Sequence, residues 1–269
     1  MLDETTQLCF SLEVAQGFRL SRLAAPGIAC EVRPGQFVEL RVSTQVSPFL
    51  RLPLSICAAD REQGTVDLLY EERGPKTQAL AALPPGSHLE CLGPLGNGFV
   101  LPGTGRRSLL VGGGIGIPPL LFLADELQRH DRSQTVLLAG ARSRSRHLPD
   151  SLLGRAAGTV LRATDDGSLG HPGPVTDLME QDLDRGGHAV VYTCGPHAMM
   201  AAVAASCLRR EVPCQASLEA YMACGYGVCV GCVVEVAPDA GDAASPFGRY
   251  RRVCVDGPVF DSRRVLWGV

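Results

Sequence analysis

The first part of the chain is dominated by short segments in which apolar and polar residues alternate. This two-residue period is typical of strands that bury one face, and it occurs in QLCFSLEV (7–14), FVELRV (37–42) and TVDLLYEE (65–72). Turn residues separate these segments, in PGQ (34–36), LPPGS (83–87) and GPLGNGF (93–99). The pattern predicts an antiparallel barrel over residues 1–104.

The pattern changes after residue 104. Continuous apolar segments predict buried strands, in SLLVGGG (108–114), TVLLAGA (135–141), GTVLRATD (158–165) and HAVVYTCG (188–195). Helical segments lie between or after them, in IPPLLFLADELQRH (117–130) and HAMMAAVAASCLRR (197–210). Apolar strands that alternate with helices predict a doubly wound α/β domain with a parallel sheet over residues 105–210.

Residues 211–269 form a third segment, with short predicted strands in CVVEV (232–236) and RRVCVD (251–256) and a concentration of cysteines. We therefore expect a multidomain β plus α/β protein: a barrel, a nucleotide domain and a small C-terminal module.

Two turns of the predicted α/β domain carry candidate chemistry. Gly112, Gly113, Gly114 and Gly116 connect a strand to a helix, where a dinucleotide pyrophosphate can approach the backbone. The spacing departs from G-x-G-x-x-G, so a plain strand–helix connection remains an alternative. Cys194, Gly195 and Pro196 close another strand and border the same expected crevice. The Cys194 thiol either faces a nicotinamide there or is simply buried before a tight turn.

Composition narrows the class of function. A net charge of −3 and an isoelectric point near 6.1 give no general attraction to nucleic acid or to anionic membranes. The N-terminal residues do not resemble a secretion signal, and we found no apolar run of about 18 residues. We therefore expect a cytoplasmic protein with reduced thiols. Seven of the eleven cysteines lie among apolar neighbours and are predicted to be buried, namely Cys9, Cys30, Cys57, Cys91, Cys194, Cys207 and Cys214.

The other four cysteines have a distinctive spacing. Cys224, Cys229 and Cys232 follow C-x4-C-x2-C, and Cys254 is the one cysteine downstream. This is the ligand spacing of plant-type 2Fe–2S clusters. Intervening glycines permit the close backbone approach that such a loop needs. A four-cysteine zinc site and ordinary structural cysteines remain alternatives.

Several motifs together resemble one family, the electron-transfer subunit of the NAD-dependent (class 1B) dihydroorotate dehydrogenase, with a ferredoxin–NADP reductase-like architecture. The motifs are PGQFVEL, PLSI, GPLGNGF, GGGIGIPPL, ATDDGSLGHPGPVTDLM, YTCGPHAMM, SLEAYMACGYGVCVGC and CVDGPVF. The resemblance implies one FAD, one 2Fe–2S cluster, NAD as acceptor, and an FMN-bearing catalytic partner in an assembly of two copies of each subunit. The partner oxidises dihydroorotate to orotate in pyrimidine (UMP) biosynthesis, and this subunit passes the electrons to NAD.

The same resemblance assigns flavin contacts to two strands and a turn. They are Pro53, Leu54 and Ser55, then Leu68, Leu69 and Tyr70, then Gly74, Thr77 and Gln78. The family's usual arginine before the proline is Leu52 here, so phosphate compensation is expected from Arg51, Arg73 or Lys76. Glu219 either positions the flavin or makes a surface ion pair.

Other functions remain open at this point. The same fold serves as the flavin and iron–sulfur subunit of ferredoxin–NADP reductases, sulfide dehydrogenases and hydrogenases. A non-enzymatic nucleotide sensor with a structural zinc is a second alternative. Three arginines in ARSRSRH (141–147) suggest a 2′-phosphate site and hence NADP, or else a solvated basic loop. None of the residues is expected to act as a general acid or base.

Overall fold

The computed structural model describes residues 1–43, 48–103, 107–131, 134–154, 158–238 and 248–268. The predicted domain boundary at 104/105 lies outside these residues. Among the described helices, none is long and apolar enough to cross a membrane.

Six antiparallel strands form a closed barrel with the order β1-β2-β5-β4-β3-β6. They are β1 (Leu2–Ala15), β2 (Phe18–Ala24), β3 (Phe37–Arg41), β4 (Leu52–Asp60), β5 (Thr65–Glu71) and β6 (His88–Leu95). Two short helices, α1 (Pro26–Glu31) and α2 (Pro75–Ala81), occupy its connections. Alternate residues fill the interior, as Val38 and Leu40 do on β3. The predicted barrel is confirmed.

The second sheet has seven strands in the order β10-β9-β8-β7-β11-β12-β15. They are β7 (Arg107–Gly113), β8 (Thr135–Ala141), β9 (Thr159–Thr164), β10 (His171–Pro172), β11 (His188–Cys194), β12 (Cys214–Ser217) and β15 (Val259–Asp261). Its strands are parallel except β15, which pairs antiparallel with β12. The strand order reverses between β7 and β11, and ligands of such sheets bind at this point.

Helices cover both faces of the sheet. They are α3 (Ile117–Asp131), α4 (Asp150–Leu153), α5 (Val175–Asp184) and α6 (His197–Arg209). Leu110 of β7 packs on the α3 side, whereas Leu109 and Val111 pack on the side of α5 and α6. Helix α3 is buried between sheet and barrel, because Leu120 packs on the sheet side while Phe122 joins the barrel core. This two-sided burial explains why α3 is apolar around most of its circumference.

The C-terminal segment is less separate than its sequence suggests. Strands β12 and β15 extend the parallel sheet, so the predicted boundary at 210/211 falls just before a strand of that sheet. Between them lies a two-stranded sheet, β13 (Val233–Glu235) with β14 (Tyr250–Arg252). The predicted RRVCVD strand ends at Arg252, and the next four residues form a turn that Asp256 closes by accepting from the Arg252 N–H at 2.7 Å.

One barrel turn anchors the cluster segment. The side-chain amide of Asn97, in GPLGNGF, donates to the carbonyls of Val255 and Asp256 at 2.9 and 3.2 Å. The Asn97 backbone N–H donates to the Gly257 carbonyl at 2.6 Å. Two motifs that lie far apart in sequence are therefore in direct contact, and they fix the turn of Cys254 against the barrel.

Candidate flavin, nucleotide and iron–sulfur sites

A crevice of about 890 Å³ lies between the barrel and the carboxyl ends of the sheet strands. Phe18, Glu71 and Arg73 line it from the barrel, and the two predicted nucleotide turns line it from the sheet. It occupies the point where the strand order reverses, as expected for a dinucleotide site.

The glycines of the glycine-rich turn differ in what surrounds them: some are packed against neighbouring residues, and one faces open space. A Cβ on Gly112 would lie 3.0 Å from both Ile117 and Leu120, so this glycine lets α3 pack closely on β7. Gly114 has φ +54° and nothing within 4 Å of a Cβ position. Gly113 and Gly114 line the crevice, whereas Gly116 packs on the neighbouring turn. Gly114 therefore offers open backbone to a ligand.

The Cys194-Gly195-Pro196 turn meets the glycine turn directly. A Cβ on Gly195 would lie 2.9 Å from the backbone N and O of Gly113. Gly195 and Pro196 line the crevice, but Cys194 is 3% exposed and is not among its lining residues. Burial, followed by the negative charge of Glu219, raises the pKa of the Cys194 thiol. The structure thus favours the buried-cysteine interpretation of this residue.

The two predicted flavin strands pair with each other over only part of their length. Strand β4 pairs with β5 from Asp60 to Ile56, whereas its first four residues, Leu52 to Ser55, pair with β3. Pro53, Leu54 and Ser55 are half-buried. Leu68 and Tyr70 point into the barrel core and Leu69 packs towards α3. Residues 68–70 therefore offer backbone rather than side chains to a flavin.

The residues expected to replace the missing arginine have different roles. Leu52 is part of the barrel core. The Arg51 guanidinium pairs with Asp3 and Glu90 at 3.3 and 3.2 Å, which commits it to the barrel wall. Lys76 Nζ donates to the Arg51 carbonyl at 2.7 Å.

Arg73 differs from Arg51 because its side chain is 76% exposed and lines the crevice, 3.6 Å from Glu71. Of the three candidate cations, Arg73 is therefore the one whose charge is available to a flavin phosphate. The Thr77 hydroxyl accepts from the Arg73 and Gly74 N–H groups at 3.0 Å, so it stabilises the turn that opens α2. Gln78 belongs to the same helix, where its N–H donates to the Gly74 carbonyl at 2.9 Å.

The four candidate cluster cysteines are arranged as two neighbouring pairs. The Cys229 N–H lies 3.4 Å from Cys224 Sγ, and the Cys254 N–H lies 3.5 Å from Cys232 Sγ. Cys232 and Cys254 are buried, whereas Cys229 is exposed. Within the described residues, no three potential ligand side chains surround one point closely enough to hold a single metal ion. Two pairs suit a cluster of two irons with two thiolates each.

The backbone of this loop already points at the sulfurs. The Cys229 N–H donates to Cys224 Sγ at 3.4 Å, and the nearby backbone amides of Tyr226 and Val228 also favour its thiolate. Burial opposes ionisation, yet these hydrogen bonds lower the pKa of the Cys224 thiol to about 6. Gly225 and Gly227 have φ of +76° and +91°, conformations that favour glycine. The donor set therefore fits a thiolate-bound iron–sulfur cluster.

Two glutamates near the proposed sites, Glu219 and Glu39, have carboxyl groups with raised pKa values. Glu219 lines the crevice and is open to solvent there, yet the surrounding protein raises the pKa of its carboxyl, an effect that Arg73 opposes. Glu39 was not predicted from sequence. It is fully buried, and burial raises its carboxyl pKa to about 7 although Lys76 opposes the shift.

The seven other cysteines are only partly as predicted. Five are buried, but Cys9 and Cys30 are exposed, so the prediction is wrong for these two. Cys9 is at an outward position of β1, and Cys30 is on the outer side of α1.

A closed six-stranded barrel joined to a parallel sheet, with a nucleotide crevice between them and a cysteine loop beside them, defines a flavin-, nicotinamide- and iron–sulfur-dependent oxidoreductase. The chain is 39% identical over 243 residues to the dihydroorotate dehydrogenase B (NAD(+)) electron transfer subunit of Desulforamulus reducens, covering 90% of each chain. It is 41% identical to the same-named subunit of Bacillus caldolyticus, covering 87% of each. The chain belongs to this family of electron transfer subunits.

Family models and a solved structure agree with this assignment. The iron–sulfur cluster binding domain of dihydroorotate dehydrogenase B matches residues 219–266, an oxidoreductase NAD-binding domain matches 110–205, and an oxidoreductase FAD-binding domain matches 5–99. A chain from a structure of NADH-dependent reduced ferredoxin-NADP oxidoreductase is 28% identical, with a TM-score of 0.84, covering 98% of this chain and 90% of that one. The predicted family and the three cofactors, FAD, a 2Fe–2S cluster and NAD, are confirmed.

Proposed function

We propose that this chain carries electrons from a dihydroorotate-oxidising, FMN-bearing catalytic subunit to NAD, within pyrimidine (UMP) biosynthesis. The observation that carries the proposal is the paired-thiol loop, which lies against the same barrel that borders the nucleotide crevice. Membership of the electron transfer subunit family supports it. FAD exchanges electrons singly or in pairs, which a one-electron cluster and a two-electron nicotinamide require.

Cys224 and Cys229 are the proposed thiolates of one iron, and Cys232 and Cys254 those of the other. The NAD pyrophosphate is assigned to the backbone of Gly113 and Gly114. Gly112, Gly116 and the Cys194-Gly195-Pro196 turn shape this site by packing rather than by side-chain contact. The flavin is assigned to the outer face of Pro53–Ser55, the backbone of residues 68–70, and the Gly74–Gln78 turn. Arg73 is the proposed phosphate cation, with Arg51 and Lys76 stabilising the wall.

The dinucleotide preference depends on the far end of the crevice. Arg146 pairs with Glu71 and lies over the Phe18 ring, and Arg144 donates to the Ser168 carbonyl at 3.1 Å. Arg142 lines the crevice, but so does Asp165 after β9. A carboxylate there accepts ribose hydroxyls and repels a 2′-phosphate. The acidic group therefore supports NAD.

We expect Asp165→Asn to raise the kcat/KM ratio of NADP to NAD by about 10-fold, since one like-charge repulsion is removed. Steady-state diaphorase rates with both reduced dinucleotides measure the ratio. Asp150→Asn, on α4 and outside the crevice lining, is the control. An unchanged ratio in the Asp165 variant would mean that this carboxylate does not discriminate.

The exposed apolar residues around the cluster loop form the proposed docking surface for the catalytic subunit. Tyr221 and Val228 are 99% and 72% exposed, and Tyr226 and Val230 are also exposed. Exposed apolar patches of this kind mark interaction sites. A partner seated here would be close to the cluster. The assembly of two copies of each subunit is part of this proposal.

We expect Tyr221→Ser to weaken co-purification with the catalytic subunit by about 10-fold or more, because exposed tyrosines are frequent anchors of interfaces. Iron content should be unchanged, since Tyr221 precedes the loop. Leu208→Ser is the matched control, because Leu208 is a 60% exposed apolar residue on α6. Equal retention of the partner by both variants would place the interface elsewhere.

Co-expression with the catalytic subunit tests the function as a whole. The expected result is dihydroorotate-dependent reduction of NAD by the complex and none by either subunit alone. The likeness to the NADH-dependent reduced ferredoxin-NADP oxidoreductase chain favours a second candidate, a ferredoxin-linked reductase. Electron transfer from reduced ferredoxin, without any response to dihydroorotate, would select that candidate. A colourless, zinc-loaded protein without diaphorase activity would contradict both.

The proposed compartment is the cytoplasm. All eleven cysteines are free of disulfide bonds, which suits a reducing environment.

A further inference from the structure

The barrel and the nucleotide domain meet along two separate borders. Helix α3 joins them along one border, with Leu120 against the sheet and Phe122 in the barrel core, and no described residue of α3 lines the crevice. Beside the crevice, the loop after β8 reaches the turn between β1 and β2. The Gln16 N–H donates to the Ser145 carbonyl at 3.0 Å, and the Ser145 hydroxyl donates to Gln16 Oε1 at 2.7 Å. The barrel therefore contacts the nucleotide domain at the crevice as well as along α3.

Arg146 is the central side chain of the contact beside the crevice. Its guanidinium donates to the Glu71 carboxylate and, at 3.2 Å, to the Gln16 carbonyl, and its Cζ lies 4.6 Å from the centre of the Phe18 ring. All three partners belong to the barrel, whereas Arg146 belongs to the nucleotide domain. The Arg146 side chain is 30% exposed and that of Glu71 16% exposed, so water screens their charge-assisted hydrogen bond only in part. We call this set of contacts the Arg146 clasp.

The Arg146 clasp is part of the crevice wall. Phe18, Glu71 and Arg146 all line the crevice, so its volume of about 890 Å³ is the space that remains with the clasp closed. The second oxygen of the Glu71 carboxylate lies 3.6 Å from a guanidinium nitrogen of Arg73, the proposed flavin phosphate cation. Because the flavin is assigned to the barrel and NAD to the sheet, a contact that fixes the two domains here also fixes the distance between the two cofactors.

We propose that Arg146 is a positioning residue for electron exchange between NAD and FAD, which sets the separation of the two cofactors by clasping the barrel through Glu71, Gln16 and Phe18. The inference rests on the proposed flavin and nucleotide sites. In the direction tested below, NADH gives a hydride to FAD, and one further proton from water completes FADH2 and leaves NAD+. Arg146 supplies no atom to this step. The last arginine of ARSRSRH is thereby committed to the barrel rather than to a 2′-phosphate.

Two substitutions of Arg146 test the clasp. Arg146→Met keeps an unbranched side chain against Phe18 but removes the charge and all donors. Arg146→Lys keeps a charge that can pair with Glu71 but lacks the fork that also reaches the Gln16 carbonyl. Flavin reduction by NADH is followed in a single turnover of the purified protein that carries FAD and the cluster. We expect the limiting rate to fall about 10-fold or more in the methionine variant and to stay within about threefold of the parent in the lysine variant, since misplaced reactants react more slowly.

Hydrogen exchange of backbone amides tests the clasp independently of activity. The Gln16 N–H bonds to Ser145 across the domain border, whereas the Glu72 N–H bonds to the Gly17 carbonyl within the barrel at 2.9 Å. We expect Arg146→Met to speed exchange at Gln16 by about 10-fold, because local opening of the border exposes this amide. Exchange at Glu72 should be unchanged, as should the FAD and iron contents.

Arg61→Met is the matched control. Arg61 also joins the two domains through a fork, donating to Glu126 of α3 at 3.1 Å and to the Val32 carbonyl at 3.5 Å. It does not line the crevice, so flavin reduction and exchange at Gln16 should stay at parental values.

A parental rate of flavin reduction in Arg146→Met would overturn the inference, even if exchange at Gln16 rose. Equal slowing in Arg61→Met would overturn it too, as would slowed reduction without faster exchange at Gln16. A higher half-saturating NADH concentration with an unchanged limiting rate would make Arg146 a nucleotide-binding residue instead of a positioning one. A parent flavin that NADH does not reduce would contradict the proposed function, whereas exchange at Gln16 would still report on the clasp.

Discussion

Cys254→Ala is expected to remove the iron–sulfur cluster while leaving the flavin in place. Cys254 is 1% exposed and its thiol adjoins that of Cys232, so no solvent ligand can readily replace it. Loss of groups that merely orient a ligand costs about 10–100-fold in metal affinity. Loss of a ligand should therefore cost more than about 100-fold. Iron and acid-labile sulfide in the purified variant should fall to background.

The same variant separates the entry of electrons through the cluster from their exchange between the flavin and the nicotinamide. Because the nucleotide crevice and the flavin strands lie outside the cysteine loop, NADH oxidation by an artificial dye should persist. Dihydroorotate-dependent NAD reduction in the complex should fall by at least about 100-fold, since the entry point of electrons is lost.

Cys57→Ala is the control for Cys254→Ala, because Cys57 is a buried cysteine of β4 that packs in the core. It should retain its full iron content. Iron and sulfide at parental levels in the Cys254 variant would show that another group is the fourth ligand. Zinc in the parent protein would contradict the iron–sulfur assignment altogether.

Local pattern was enough to predict the barrel, the main parallel strands and the two turns. The reason is physical: alternation, apolar runs and glycine positions are set by nearest neighbours along a strand or turn. The spacing of the cysteines likewise predicted four ligand thiols, and this assignment stays a prediction. Their division into two pairs was not predictable, since it depends on how the turn after Arg252 folds back.

The features that the sequence did not predict depend on contacts between residues that lie far apart in the chain. Strands β12 and β15 join the parallel sheet through hydrogen bonds to residues far away in the chain. Arg51 was expected near the flavin phosphate, but Asp3 and Glu90 from other strands engage it. Glu39 occupies a polar position of an alternating strand, which predicts solvent exposure. It is buried because the cluster loop, nearly two hundred residues later, covers it.

Gly116→Ala is expected to disable NAD binding through packing alone. A Cβ at Gly116 would lie closer than 3.0 Å to the Cys194 carbonyl and to Cα of Gly195, a separation that real Cβ atoms essentially never show. The two turns would have to move apart, and forced overpacking of this kind costs about 1–3 kcal/mol or more. Because both turns form the crevice, we expect KM for NADH to rise more than about 10-fold, with a lower midpoint of thermal unfolding.

Gly114→Ala tests the other proposed function of the glycine-rich turn, which is to offer its backbone to the pyrophosphate. Its Cβ would enter open space, and φ +54° costs an alanine about 1 kcal/mol. We therefore expect a smaller loss of thermal stability than in Gly116→Ala but a comparable rise in KM, because the methyl group occupies the face that a pyrophosphate would approach. A variant with unchanged KM would show that the pyrophosphate does not approach Gly114. If Gly116→Ala also left KM unchanged, contact between the two turns would not be what shapes the nucleotide site.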